Sequence, residues 1–283
     1  MLAEAVHSVA DSANQALLLI GMALAVKRDP ARYPFGRGRE SYLWAFIVSL
    51  ILFFLGGVVA LYEGIKKVTS PHEAHGSVTV ALVVLVVSIA IELASFRVAA
   101  REFNKTRGSR PLMEALFHGK DPTIPVVLLE DTAALVGLVL AFGAVVTTWA
   151  TGNVVADAVG SILIGVLLCA VGLTLAYETH GLIIGEAATP EMRARALGVV
   201  TETSGVEGVS QMLTMHIGPD TVLLAMKVRF RRGATVEEVE QVTNAVEERV
   251  RAAVPEMQKI FIEADGAYDA TKDPLAVLDG ESA

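Results

Sequence analysis

Tyr42 to Tyr62 contains no charged residue, and neither does Ala158 to Tyr177. A helix needs about 20 predominantly apolar residues to cross the hydrocarbon core of a bilayer. Two further stretches come close. Gly76 to Phe96 carries only Glu92, and Pro122 to Ala150 carries only the adjacent pair Glu130 and Asp131. A fifth candidate, about residues 2–26, is interrupted by Glu4, His7 and Asp11, which also argues against a cleavable signal peptide. Together these runs predict spans at about 2–26, 42–62, 76–96, 122–150 and 158–177. Composition agrees: 53% of the chain is hydrophobic and 19% charged, against about 45–50% and about 25% in ordinary soluble domains.

Charge is unevenly distributed. Residues 1–185 hold 13 Lys/Arg and 14 Asp/Glu, a net of −1, and residues 186–283 hold 10 and 17, a net of −7. That shift predicts two domains, a transmembrane one over 1–185 and a soluble one over 186–268, followed by a disordered Asp/Gly/Ala-rich tail over 269–283. The overall −8 argues against nucleic acid as a partner. The single cysteine, Cys169, excludes an internal disulfide and a cysteine metal cluster. Basic residues concentrate in loops 27–40 and 97–120, whereas 63–75 and 151–156 are poor in them. By the positive-inside rule the first two loops and the soluble domain face the cytoplasm.

The soluble part reads as αββαβ. Thr189-Pro190 opens a helix to about Thr203, Val209 to Ile217 and Val222 to Phe230 read as strands around Gly218-Pro219-Asp220, and Thr235 caps a helix to about Val254. Val236, Val239, Val242 and Val246 form that helix's expected apolar side, and Ile260 to Glu263 is a last short strand. The order suits a ferredoxin-like sheet with helices on one face. A domain of about 80 residues has a thin core, which favours association through it.

Ionisable groups within spans are costly and mark functional sites. His7 and Asp11 are one helical turn apart, and Glu4 and Asn14 share their stripe. An imidazole and a carboxylate so placed supply half of a tetrahedral site for a borderline divalent cation such as zinc. Asp131, with Glu130 beside it, is a second intramembrane carboxylate. The competing reading is a hydrogen-bonded pair that only locks helix to helix. Glu92, one turn from Arg97, reads as a snorkelling or paired charge. Asp157 reads as the cap of the last span. His72, Glu73 and His75 read as a solvated outer loop, loop 27–40 as an orientation signal touching lipid headgroups, and His216 as a structural histidine.

Met1-Leu-Ala-Glu-Ala-Val-His-Ser-Val-Ala-Asp11, Tyr33-Pro-Phe-Gly-Arg-Gly-Arg39, Asp157-Ala-Val-Gly-Ser-Ile-Leu-Ile-Gly165 and the αββαβ tail resemble the cation diffusion facilitators, exporters of zinc and other divalent metals coupled to protons. Leu128-Leu-Glu-Asp-Thr-Ala-Ala134, with Ser95-Phe-Arg97, Arg101-Glu-Phe-Asn104 and Thr214-Met-His-Ile-Gly218, is similar to the subgroup around animal zinc transporter nine. The resemblance implies six spans, one of them preceding the first seen here, and homodimers joined through the cytoplasmic domain. It also implies a multi-pass location, here the bacterial inner membrane, and no enzymatic activity. It implies zinc as transported substrate (Mn2+, Fe2+, Co2+ or Cd2+ being alternatives), protons as counter-ion, and His7, Asp11 and Asp131 as metal ligands. Many relatives carry a histidine four residues before the second aspartate, where this chain has Val127. Glu130, Asn14 or water is then left to complete the shell. Where relatives often have histidine in the last strand, this chain has Glu263. A membrane-anchored metal-binding or regulatory protein that does not transport is the alternative function.

Overall fold

The computed structural model of the chain describes residues 2–70, 77–108, 111–117, 121–153 and 155–265, with the side chains of residues 2–12, 106, 114 and 117 outside that description. The expected tail over 269–283 and the loop with His72, Glu73 and His75 therefore lie outside the described residues. The chain divides into two compact units, one of residues 1–27 and 39–184, the other of residues 28–38 and 185–283.

The first unit is all-helical. Its elements are α1 (Leu2–Ala25), α2 (Arg39–Ile51), a π-helical segment (Leu52–Val58), α3 (Val59–Thr69), α4 (Val78–Arg107), the short α5 (Leu112–Phe117), α6 (Thr123–Thr151) and α7 (Val155–Ile184). Four helical stretches are long and apolar enough to cross a membrane: Arg39–Thr69, Val78–Lys105, Thr123–Thr151 and Val155–Ile184. The helices overrun the apolar runs at both ends, because a helix does not stop where hydrocarbon stops. Residues 97–120, expected as a loop, are in large part the last turns of α4 together with α5. Each end has a local cause. The Thr123 amide donates to Asp121 Oδ1 at the start of α6, and Gly152 ends it at φ 68°, its amide donating to the Thr148 carbonyl. Asn153 Oδ1 accepts from the Val155 amide and begins α7. Asp157 thus sits in the first turn of α7 rather than at its cap, where it favours the helix dipole and pairs with Lys67 at 2.8 Å.

Close backbone approach sets the packing of the long Arg39–Thr69 helix on α7. A Cβ on Gly165 would lie 2.6 Å from the Leu61 amide nitrogen and 2.9 Å from the Gly57 carbonyl oxygen. One on Gly172 would lie 2.9 Å from Phe53 Cα, and one on Gly64 2.9 Å from the Ile162 amide nitrogen. Small residues take these places because, with lipid around the helices, association depends on van der Waals contact rather than on expelling water. Leu18, Ala45, Val48, Leu52, Val126, Ala133, Leu168 and Leu175 form the buried centre of this unit.

The second unit contains α8 (Pro190–Thr201), β1 (Val206–Gly218), β2 (Thr221–Phe230), α9 (Val236–Ala253) and β3 (Lys259–Ala264). The sheet order is β1-β2-β3, with β1 and β2 antiparallel and β2 and β3 parallel. This is the ferredoxin-like αββαβ arrangement the sequence predicts. Every second residue of β2, Val222, Leu224, Met226 and Val228, is buried against Ala196 and Val200 of α8 and Val246 and Val250 of α9. Each such side chain contributes roughly 1.5–3 kcal/mol on burial. Val236, expected on the apolar side of α9, is 86% exposed. It occupies the first helical position, ahead of the turn that meets the sheet. Residues 28–38 also belong to this unit: the rings of Phe35 and Phe261 meet edge to face at 6.3 Å, and Arg37 lies over Tyr33. The loop expected as an orientation signal touching lipid headgroups is thus also a packed segment of this unit.

Two predictions follow from this packing. Gly165→Ala forces a Cβ into backbone and should destabilise the detergent-solubilised protein by about 1–3 kcal/mol, read as a lower melting temperature. Gly143→Ala on α6, where a Cβ would meet nothing within 4 Å, should leave that temperature unchanged or raise it. In α9, Thr235 and Glu238 form a reciprocal capping box, and the hydrogen bond from the Thr235 amide holds the Glu238 carboxyl below its ordinary value of 4.5. Thr235→Ala should cost about 1 kcal/mol, seen as roughly five-fold faster amide exchange in the first turn of α9. The depressed value of Glu238 means its ionised form stabilises the fold above about pH 4.5. That advantage over Glu238→Gln should fade as pH falls through the depressed value.

Candidate metal centre

Glu130 and Asp131 lie in the cytoplasm-proximal half of α6 by the expected orientation, and both are buried, at 5% and 3% exposure. Neighbouring residues on a helix point about 100° apart, and here they reach different helices. Glu130 faces α1, where Asn14 Nδ2 donates to its Oε1 at 2.7 Å. Asn14 is itself 2% exposed. Asp131 faces α4, where Ser95 Oγ donates to its Oδ2 at 3.0 Å. Glu92, one turn before Ser95 on α4, lies beside the same carboxyl.

The expected ligands His7 and Asp11 lie on α1, but their side chains are outside the described residues. Asn14, on their helical stripe, is described, and it meets Glu130. Glu130 and the adjacent Asp131 thus turn toward different helices, α1 and α4. Among the described residues no group of three or more His, Cys, Asp or Glu side chains is placed to hold a metal ion. The oxygen-rich set of Glu130, Asn14 and Asp131 suits a hard or borderline divalent cation rather than a soft one. Ser95 and Glu92 were the residues that sequence reasoning left out of the site. Their i, i+3 spacing in the mostly apolar stretch 78–96 of α4 was the available signal.

In the second unit, His216 is 1% exposed near the end of β1, and its amide donates to the Glu186 carbonyl. Glu263 on β3 pairs with Lys227 at 3.6 Å. Asp265, at 3.3 Å, is the closer partner of Lys227 and holds its ammonium above the ordinary range.

A bundle of long apolar helices with buried carboxylates on one of them, followed by a ferredoxin-like domain, defines an integral, multi-pass membrane protein built to handle charge. The family profile described as the cation efflux transmembrane domain matches residues 1–184. The chain belongs to the cation efflux, or cation diffusion facilitator, family, in the neighbourhood of zinc transporter nine. It is 30% identical over 239 residues to metal tolerance protein C4 of Arabidopsis thaliana, covering 84% of this chain and 52% of that protein. It is 30% identical over 232 residues to the mitochondrial proton-coupled zinc antiporter SLC30A9 of Xenopus laevis, covering 81% of this chain and 41% of that one. The chain thus spans about half the length, or less, of these curated relatives. It is 23% identical to the magnetosome protein MamB of Magnetospira sp. (strain QH-2), covering 93% of this chain and 84% of that protein. Among solved structures, the nickel form of a MamM CTD variant aligns with 28% of this chain and all of that one, at 18% identity and a TM-score of 0.27.

Asn14→Leu removes a hydrogen bond from the buried Glu130 carboxyl and should destabilise the protein by about 1–3 kcal/mol, read as a lower melting temperature in detergent.

Proposed function

We propose that this chain moves a divalent metal cation, zinc foremost, across its membrane in exchange for protons, by alternating access. The observation that carries the reading is the pair of buried carboxylates Glu130 and Asp131 inside a membrane-crossing helix, held from α1 and from α4. Such groups persist in hydrocarbon when they are paired, wet or bound to a cation. The proposed ligand set is His7 and Asp11 from α1 with Asp131 and Glu130 from α6, and Asn14 as an accessory donor. Zinc and proton coupling are supported by the name of the antiporter relatives. Competition supplies the coupling: ligands must lose protons to take the metal, and regain them on release.

The basic segments 27–40 and 97–120 support a cytoplasmic soluble domain. The proposed location is a bacterial inner membrane; the bacterial source of the MamB relative favours a bacterial membrane, whereas the zinc antiporter relatives are mitochondrial. The thin core of the soluble domain supports a homodimer joined there. The activity is transport, with the metal as cargo rather than as the cofactor of an enzyme. Val127 in place of a nitrogen donor favours one second reading, a metal-binding regulatory protein that no longer transports.

Zinc flux into liposomes holding the purified protein, with and without an imposed pH gradient, tests both. Wild type should show gradient-driven flux, and Asp131→Ala and Asp11→Ala should each lose it by more than about ten-fold. Flux that survives in Asp11→Ala would defeat this assignment of ligands. Zinc binding without flux would favour the regulatory reading.

A further inference from the structure

Ser95, on a membrane-crossing helix, donates its hydroxyl to a buried carboxylate of the proposed site. Ser and Thr side chains within these helices otherwise commonly return to the backbone of their own helix, as Thr132 does to the Leu128 carbonyl and Thr179 to the Leu175 carbonyl. Ser95 Oγ instead crosses from α4 to α6 and binds Asp131 Oδ2 at 3.0 Å. α4 packs along α6, so both ends of this hydrogen bond are carried by long helices.

We propose that Ser95 is a positioning residue for cation binding: by holding Oδ2 of Asp131 it fixes the carboxylate plane and leaves Oδ1 to meet the cation. The inference rests on the transport-site reading above. A carboxylate on a helix can turn about its side-chain torsions, and a cation that must first freeze that rotation binds more weakly. A donor already bound to one oxygen removes that cost. Hydrogen-bond partners of ligating groups typically govern metal affinity by 10–100-fold. The hydroxyl suits the task better than a second charge would, because it adds no ionic group to the membrane interior.

The test is zinc binding to the purified full chain in detergent, by competition with a fluorescent zinc chelator, alongside the zinc dependence of flux in liposomes. Ser95→Ala should weaken zinc binding and raise the half-saturating zinc concentration by about ten-fold or more, with maximal flux within about two-fold of wild type. Ser95→Thr, which restores the hydroxyl, should return both to within about three-fold. In an Asp131→Asn background Ser95→Ala should add little, because the group it positions is already changed.

Unchanged affinity in Ser95→Ala overturns the proposal. So does a loss of maximal flux or melting temperature at unchanged affinity, which marks a packing role. Failure of Ser95→Thr to restore binding overturns it as well. Wild-type protein that binds zinc without moving it defeats the transport reading alone, and the affinity series still decides the role of Ser95. Wild-type protein that neither binds nor moves zinc overturns both.

Discussion

Two adjacent carboxylic acids inside an apolar helix set the terms for the rest of the membrane unit. Neither can face hydrocarbon, so each needs a polar neighbour at the same depth. Their 100° separation around α6 means one neighbouring helix cannot serve both. The structure answers with α1 on one side and α4 on the other: Asn14 for Glu130, Ser95 and Glu92 for Asp131. α6 packs along α4 and α7, and α1 reaches it through the Asn14–Glu130 hydrogen bond. A cation binding at this place must displace or share those hydrogen bonds, which ties occupancy to how α1, α4 and α6 pack.

The other side of the unit is built differently. The Arg39–Thr69 helix meets α7 through Gly57, Gly64, Gly165 and Gly172, where backbone lies against backbone or against side chains with no room for a Cβ. At one end of that seam Lys67 bonds Asp157 and Ser161, and at the other the His180 ring lies 6.5 Å from that of Phe46. Close dispersion contact on one side and polar pairing on the other are two distinct means of holding helices together in lipid.

Hydropathy located the four long apolar helices found among the described residues, because twenty apolar residues in a row admit few other readings. It did not locate their ends, since Arg39–Thr69 and Val155–Ile184 continue past the uncharged cores. Nor did it reveal the π-helical turn over Leu52–Val58, where Gly56-Gly57 was the available hint. The αββαβ order was legible from alternation in β2 and from the Thr235 and Thr189 caps, each of which accepts an amide hydrogen bond. Which helix each carboxylate faces was not legible. When nearly all residues of a helix are apolar, periodicity carries no rotational information, so Glu130 and Asp131 could be named but not aimed. The packing of residues 28–38 into the unit of the soluble domain was equally hidden, because Phe35 finds Phe261 across more than two hundred residues.

The central claim is that the carboxylates of α6 are held for exchange between a metal ion and protons. Proton release on adding zinc to the purified, weakly buffered protein tests it most directly, with binding followed in the same titration. Wild type should release protons in proportion to zinc bound, and Glu130→Gln/Asp131→Asn should bind zinc more weakly and release fewer protons. Equal affinity and equal proton release in the double variant would contradict the account.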